Sequence, residues 1–305
     1  MSRVRKGQNK FFINIGFLIV FLIGLLIALY PTISSRWNSY RNSRLISEYR
    51  EELITDDRQN TYDKLIEQAR EYNQRLYVPS VPDAFSIRDG IRDQEYESLL
   101  NVHEDGMMGY VEIPVIGVEL PIYHYTTEEV LRQGAGHLLG SALPVGGNRS
   151  HCVISAHRGL PNAVMFTDLN LVEEGDRFYF HVLNQTLAYE VDQILEVLPT
   201  EVESLSAVNG QDYATLITCT PYGVNTHRLL VRGHRIEYSE AVHVEDQTVS
   251  ERRDPNRLLY QVLSVIAGLA ISGIIITIQT VIGMRKRKQS GGPDLKNHRE
   301  DGKEG

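Results

Sequence analysis

Residues 215–228 read TLITCTPYGVNTHR. The first half, TLIT, is β-branched and aliphatic and favours an extended strand. The second half carries Pro221, Gly223 and Asn225, the residue types of a loop. Cys219 therefore falls near a strand end, beside a loop. A thiol there can meet a substrate, whereas a thiol in mid-strand is packed and inert. After the loop, RLLVRG resumes strand character, and Arg228 stands at the start of a strand that can pair beside that of Cys219.

Three readings of Cys219 follow. It packs, it bonds to Cys152 (the chain's other cysteine), or it is a nucleophile. A nucleophilic thiol needs an imidazole partner. Of ten histidines, His157 is best placed, because SAHRG ends a strand and begins a loop. His227, eight residues after Cys219, is a rival, and His181 inside YFHVL reads as a surface or satisfied histidine. Acyl transfer also needs a donor for the developing oxyanion. Arg228, Arg158 and Arg232 are the candidates, each with a plain salt bridge as its alternative use.

Outward from this stretch, the texture from about residue 107 to residue 236 is that of short strands. GYVEIPVIGVELPIYH alternates, with Pro114 and Pro121 suggesting edges or bulges. HCVISAH is a strand, and DRFYFHVLNQTLAYEVDQILEVL reads as a hairpin turning near Asn184–Gln185. TTEEVLRQ, residues 126–133, predicts a short helix with a threonine cap. GAGHLLGSALPVGGN lacks the strand-then-helix context of a dinucleotide site and reads as a shaped loop. Many short strands and little helix predict a mostly β protein, a closed barrel or a sandwich. Upstream, Leu53, Tyr62, Leu65, Ala69 and Tyr72 recur at near-helical spacing, predicting one or two amphipathic helices that serve as a packing arm, a partner surface or a spacer. Pro82 and Gly90 mark a loop in SVPDAFSIRDG, residues 80–90.

Two uncharged apolar segments frame the chain, at 11–33 and 258–284. Each exceeds the roughly 20 residues that cross a bilayer as a helix. Arg3, Arg5, Lys6 and Lys10 precede the first, and Arg285 to Lys288 follow the second. Such cations collect on the cytoplasmic side, so both termini are expected inside and residues 34–257 outside. A cleaved signal is the alternative for the first segment. Residues 34–257 hold 20 Lys and Arg against 35 Asp and Glu, a net charge of −15, which argues against nucleic acid as a partner. Of those cations only Lys64 is a lysine.

TLITCTPYGVNTHRLLVRGHR, residues 215–235, resembles the cysteine-to-arginine signature of the sortases, and its PYGVNTHRLLVRG continuation resembles class C, the pilin-polymerising sortases of Gram-positive bacteria. SAHRG, residues 155–159, is similar to the family's histidine motif, and HLLGSALPVGG, residues 137–147, to the segment upstream of it. The resemblance covers about residues 80–240. It implies an eight-stranded barrel with N-terminal helices, flanked by two transmembrane helices. It implies Cys219 as nucleophile, His157 as its acid/base partner, and Arg228 as the group that holds the substrate carbonyl or oxyanion. It demotes the disulfide, since a bonded Cys219 cannot attack, and leaves Cys152 as a buried small hydrophobe. It also implies a lid over the active site, with Asp83 and Phe85 at the matching positions. The usual middle residue of that lid motif is proline, and here it is Ala84. On sequence, Asp83 is expected to pair with Arg228 as an exposed ion pair, and Phe85 to cover Cys219.

The expected organisation is a basic terminus at 1–10, an anchor or uncleaved signal at 11–33 and a helical region at 34–79. A lid at 80–90, a barrel at 91–245 and a linker at 246–257 follow, then a transmembrane helix at 258–284 and a tail at 285–305. The implied substrate is a pilin subunit with an LPxTG-like sorting signal, and the acceptor is a lysine of the next pilin. No cofactor or metal is expected, since no carboxylate-rich loop demands calcium. The lysine shortage suits an enzyme that offers thioacyl groups to lysines, with compositional drift as the alternative. The competing readings are a sortase that anchors proteins to peptidoglycan and a non-enzymatic two-anchor scaffold with a Cys152–Cys219 disulfide. A papain-type protease fits less well, since its cysteine lies early in the mature chain near a helix start.

Overall fold

A computed structural model describes residues 2–55, 59–76, 83–85, 92–160, 162–248 and 252, and, near the C-terminus, 263, 265–273, 277–278 and 281–282. The chain divides into two compact units, residues 1–28 with 254–305, and residues 29–253. In the first unit the described residues are helical, and Ile19, Leu22, Ile23, Leu26, Ile27, Ile266 and Ile271 are exposed. Among the described residues, no helix is long and apolar enough to cross a membrane. The expected span at 258–284 lies largely outside the described residues, as do many side chains of 11–33.

The second unit is built on eight strands: β1 (Met107–Ile113), β2 (Val118–His124), β3 (Ala135–His137), β4 (Ser150–Ser155), β5 (Arg177–Val182), β6 (Gln185–Val197), β7 (Asp212–Thr220) and β8 (His227–Ile236). They close into a barrel in the order β1-β2-β3-β4-β7-β8-β6-β5. The β2–β3 and β4–β7 pairs are parallel and the other pairs antiparallel. Closure leaves no sheet edge to protect. Pro114 opens a one-turn 3-10 helix between β1 and β2, which ends on Gly117 in the left-handed region at φ 53°. Pro121, by contrast, lies inside β2 opposite Tyr110, and the irregularity in this pair falls at Met107/Gly109. The β5–β6 hairpin turns at Leu183–Asn184.

Among the described residues, the α-helices of this unit are the part of α1 (Ser2–Thr55) from residue 29 on, α2 (Gln59–Arg75), α3 (Gln94–Ser98), α4 (Glu128–Gln133) and α5 (Glu240–Thr248). The α4 helix begins at Thr127, whose side chain accepts a hydrogen bond from the Val130 N–H, as the sequence predicts. The α2 helix is a packing arm. Its Tyr62, Ile66, Ala69 and Tyr72 stripe is buried in the main core with Val111, Phe178 and Leu216. Burial of a large apolar side chain contributes about 1.5–3 kcal/mol, so this stripe outweighs the helix's weak intrinsic preference. Asn73 fastens it further, donating to the Leu143 carbonyl at 3.1 Å and accepting from the Leu143 N–H at 2.8 Å. The α1 helix is tied to the barrel by Arg50, which donates to Tyr110 Oη at 2.7 Å and to Glu119 at 2.9 Å. The α5 helix crosses the 245/246 junction at which barrel and linker were expected to meet.

Candidate active site

Cys219 is the penultimate residue of β7, and its antiparallel partner across the sheet is Arg228, the second residue of β8. Loop 221–226 joins the two strands, and Tyr222 and Val224 in it are exposed. On the other side of β7 runs β4, parallel, with Ser155 in register with Ile217. Two residues beyond each lie His157 and Cys219. The Thr218 hydroxyl donates to the Ala156 carbonyl at 2.8 Å, and the Ala156 N–H donates to the Ile217 carbonyl, which holds the histidine's approach to the strand. Three adjacent strand ends thus deliver a thiol, an imidazole and a guanidinium to one end of the barrel.

The lid residues sit on this site. Asp83 accepts from Arg228 Nε at 2.7 Å and Nη2 at 2.8 Å, a bidentate pair. The side chains are only 13% and 12% exposed, so the pair is not the exposed contact expected from sequence. A planar carboxylate matches the guanidinium fork in two parallel hydrogen bonds, and water is excluded from most of it. Phe85 is placed by two ring contacts. Its ring lies under the Arg228 guanidinium at 5.1 Å and against the His157 ring at 5.8 Å, spacing the two. Ala84 is buried in a second apolar cluster with Leu138, Val153, Leu205, Ile217 and Leu230. Pro82 and Gly90, which mark the lid loop in sequence, lie outside the described residues.

Charge follows from this arrangement. Burial pushes the Cys219 thiol above its ordinary value; the Arg228 cation pulls it down, and the Asp83 carboxylate raises it again. The net effect beneath the lid is upward, with burial as the largest cause. Burial lowers His157, while Glu128 opposes that shift. His157 Nε2 lies 3.4 Å from Glu128 Oε2, near enough for an ion pair but without the alignment of a hydrogen bond. Glu128, in the first turn of α4, is a neighbour that the sequence reading did not single out. An acid in the first helical turn is an ordinary dipole partner, and nothing in the sequence joins it to residue 157.

The rival residues have other occupations. Arg158 is a clasp, donating to the Thr167 carbonyl, Thr220 Oγ1 at 3.0 Å and Asn170 Oδ1 at 2.7 Å. Arg232 forms its own bidentate pair with Asp192 and stacks on Tyr213. His227 contacts Thr226 Oγ1 at 2.9 Å. His181 contacts Glu112 Oε2 at 2.9 Å, a satisfied histidine as the sequence reading allowed. Both cysteines are free, which removes the disulfide, and Cys152 is buried with its thiol pushed well up by burial. Gly159, at φ 80°, has no room for a Cβ, which would lie 2.8 Å from the Tyr222 ring. This contact sets the histidine loop against the loop after Cys219.

A strand-end thiol between an imidazole loop and a cross-strand arginine, on a closed barrel, defines a cysteine enzyme of the acyl-transfer class. The sortase-domain profile matches residues 111–236. Sortase C-1 from Streptococcus pneumoniae is 47% identical, and the likeness covers 64% of this chain and 100% of that one with a TM-score of 0.61. Sortase C1 from Streptococcus agalactiae is 44% identical over 64% and 100% of the two chains, TM-score 0.59. Sortase C-1 from Actinomyces oris is 43% identical over 59% and 99%, TM-score 0.56. Among curated relatives, sortase A of Bacillus anthracis is 29% identical over 127 residues, 42% of this chain and 59% of that protein's length. Sortase A of Staphylococcus aureus is 28% identical over 186 residues, 59% and 79% of the two lengths. The chain belongs to the sortase family, and these similar solved structures are class C sortases.

Proposed function

We propose that this sortase joins pilin subunits through a Cys219 thioacyl intermediate. The observation that carries the proposal is the bidentate Asp83–Arg228 pair, in which a lid carboxylate occupies the guanidinium that an acyl-transfer intermediate would use. The pilin assignment draws on the sortase C relatives, one of which, from Streptococcus pneumoniae, is described in terms of pilin substrate specificity.

In the first step the lid leaves, and Asp83 no longer raises the Cys219 thiol. Vacating Ala84 also uncovers an apolar floor of Leu138, Val153, Ile217 and Leu230, suited to the apolar residues of an LPxTG-like signal. Cys219 passes its thiol proton to His157, and the resulting thiolate attacks the threonine carbonyl of that signal. Arg228 donates to the oxygen as it becomes negative, a contact stronger in the transition state than in the ground state. Protonated His157 gives its proton to the departing amine, and the thioester remains. A lysine amine of the next pilin then attacks the thioester, His157 takes up the amine's proton, and Cys219 leaves as an isopeptide bond forms. Dividing one difficult exchange into two easier ones is what the covalent nucleophile contributes.

The apolar segments 11–33 and 258–284 are read as membrane anchors with cationic cytoplasmic flanks, presenting the barrel outside the cell. The exposed Leu22, Ile23, Leu26 and Ile27 suit a lipid-facing surface. The test is made in cells producing a candidate pilin, wild type against Cys219→Ala. Covalent ladders on denaturing gels should vanish in the variant while pilin monomer persists. Persistent ladders would mean another enzyme joins that pilin and would favour peptidoglycan anchoring instead.

A further inference from the structure

We propose that Glu112, His181 and His243 form a site for one divalent transition-metal ion of the zinc type, fastening α5 to the barrel. The three residues come from β1, β5 and α5. Glu112 faces Tyr179 in the β1–β5 register, and His181, two residues on, points to the same side. His243 arrives from α5, its ring 4.4 Å from that of Tyr179. One carboxylate oxygen, Glu112 Oε2, receives both imidazoles: His181 Nε2 at 2.9 Å and His243 Nε2 at 3.0 Å. The three ligand atoms all lie within 4.8 Å of one another.

The outer contacts orient these atoms inward. His181 Nδ1 lies 3.2 Å from Thr186 Oγ1, and His243 Nδ1 lies 3.1 Å from the Tyr238 hydroxyl. Tyr238 has one hydroxyl proton and donates it to Glu240 at 2.5 Å. Toward His243 it can only accept, so His243 Nδ1 carries a proton. In the neutral ring, Nε2 is then a lone pair aimed at a carboxylate lone pair, with Gln247 Nε2 3.3 Å from it. A metal ion placed between the two atoms would take both as ligands. A ligating imidazole whose other nitrogen is held by a hydrogen-bonding partner is the usual outer shell of a metal site.

The spacing suits the ion. With bonds of about 2.0–2.2 Å, neighbouring donors around a tetrahedral or octahedral centre sit about 3.0–3.5 Å apart. Both contacts to Glu112 are at or just below that span, and the two imidazole nitrogens lie within 4.8 Å of each other. Two imidazoles and one carboxylate are a donor set for zinc, iron(II) or cobalt(II) rather than calcium or magnesium. A cavity of about 360 Å³ is lined by Glu112 and Gln247 and so reaches the carboxylate side of the cluster. Arg177 pairs with Asp246 and Glu190, and Asp246 accepts from Tyr179; Glu112 Oε1 accepts from Gln247 Nε2 at 2.9 Å, which leaves Oε2 to the imidazoles.

The test uses the full chain in detergent, untagged, with Cys219→Ala so that the thiol cannot compete. Cobalt(II) is titrated and its visible absorption followed, then zinc is added to displace it. The expected result is one cobalt per chain, with a spectrum free of thiolate charge transfer and lost on adding zinc. His181→Gln and His243→Gln should each weaken binding by at least ~100-fold. Zinc should slow amide exchange across 240–248, which needs no further variant if either substitution fails to fold. No saturable binding, undiminished binding in a folded His181→Gln/His243→Gln double variant, or zinc that leaves exchange at 240–248 unchanged would each overturn the proposal.

Discussion

Asp83→Ala isolates the lid's ionic contact, and its consequence can be worked from the geometry. The pair is bidentate, at 2.7 and 2.8 Å, with both side chains nearly nine-tenths covered. Hydrogen bonds to charged groups contribute about 1.5–3 kcal/mol net, and the remaining exposure argues for the lower end. A loss of about 1.5 kcal/mol raises the open-lid fraction roughly tenfold. Removing the Phe85 ring as well withdraws about 2 kcal/mol of burial and its cation–π contact, so the double variant should approach a fully open lid. The readout is the pseudo-first-order rate of iodoacetamide modification of Cys219. Cys152 is an internal control, because it is 1% exposed and reacts only if the barrel itself unfolds. The single variant should react about tenfold faster. A change of less than about twofold, some 0.4 kcal/mol, with Cys152 still protected, would refute the idea that this ion pair holds the lid shut.

Other outcomes follow from the same structure. In the wild type, alkylation of Cys219 should keep rising with pH beyond the thiol's ordinary value of 9.0, because burial and Asp83 raise it; in Asp83→Ala the rise should shift to lower pH. Arg228→Lys keeps the charge but loses the fork, so transpeptidation on a sorting-signal peptide should fall about 10²–10³-fold while the protein stays folded. Gly109→Ala places a Cβ 2.2 Å from the His181 carbonyl oxygen, which backbone must move to relieve. It should cost about 3 kcal/mol and lower Tm by roughly 6–12 °C in a thermal melt. His137 is wholly buried and held at about 4, against 6.5 when unfolded, with burial as the main cause. A depressed histidine favours the fold above its unfolded value, so stability should fall by on the order of 3 kcal/mol as pH drops from 6.5 through 4. Denaturant titrations at the two ends of that window measure it.

Local chemistry made much of the barrel legible. The strand-end position of Cys219, the cap at Thr127 and the helical spacing of Tyr62, Ala69 and Tyr72 all depend on neighbours within a few residues, and each is found as expected. The Cys219–Arg228 pairing was also readable, because a short loop between two strands nearly fixes which residues meet. The Asp83 contact was placed but misjudged in kind, since burial depends on what covers it. The Glu112–His181–His243 cluster was not legible at all. Its members are 69 and 131 residues from Glu112, and only barrel closure and the docking of α5 bring them together. Glu128 beside His157 was missed for the same reason.

Because Cys219 and Arg228 face each other across a ladder of backbone hydrogen bonds, the pitch of the sheet sets their separation, and the six-residue turn at 221–226 does not. The turn bears instead on what surrounds the pair: Tyr222 packs by Gly159 of the histidine loop, and the Asn225 carbonyl accepts from Arg228 Nη1 at 3.3 Å. The strand ladder fixes how far apart thiol and guanidinium stand, while the turn tunes the hydrogen bonding and packing around them.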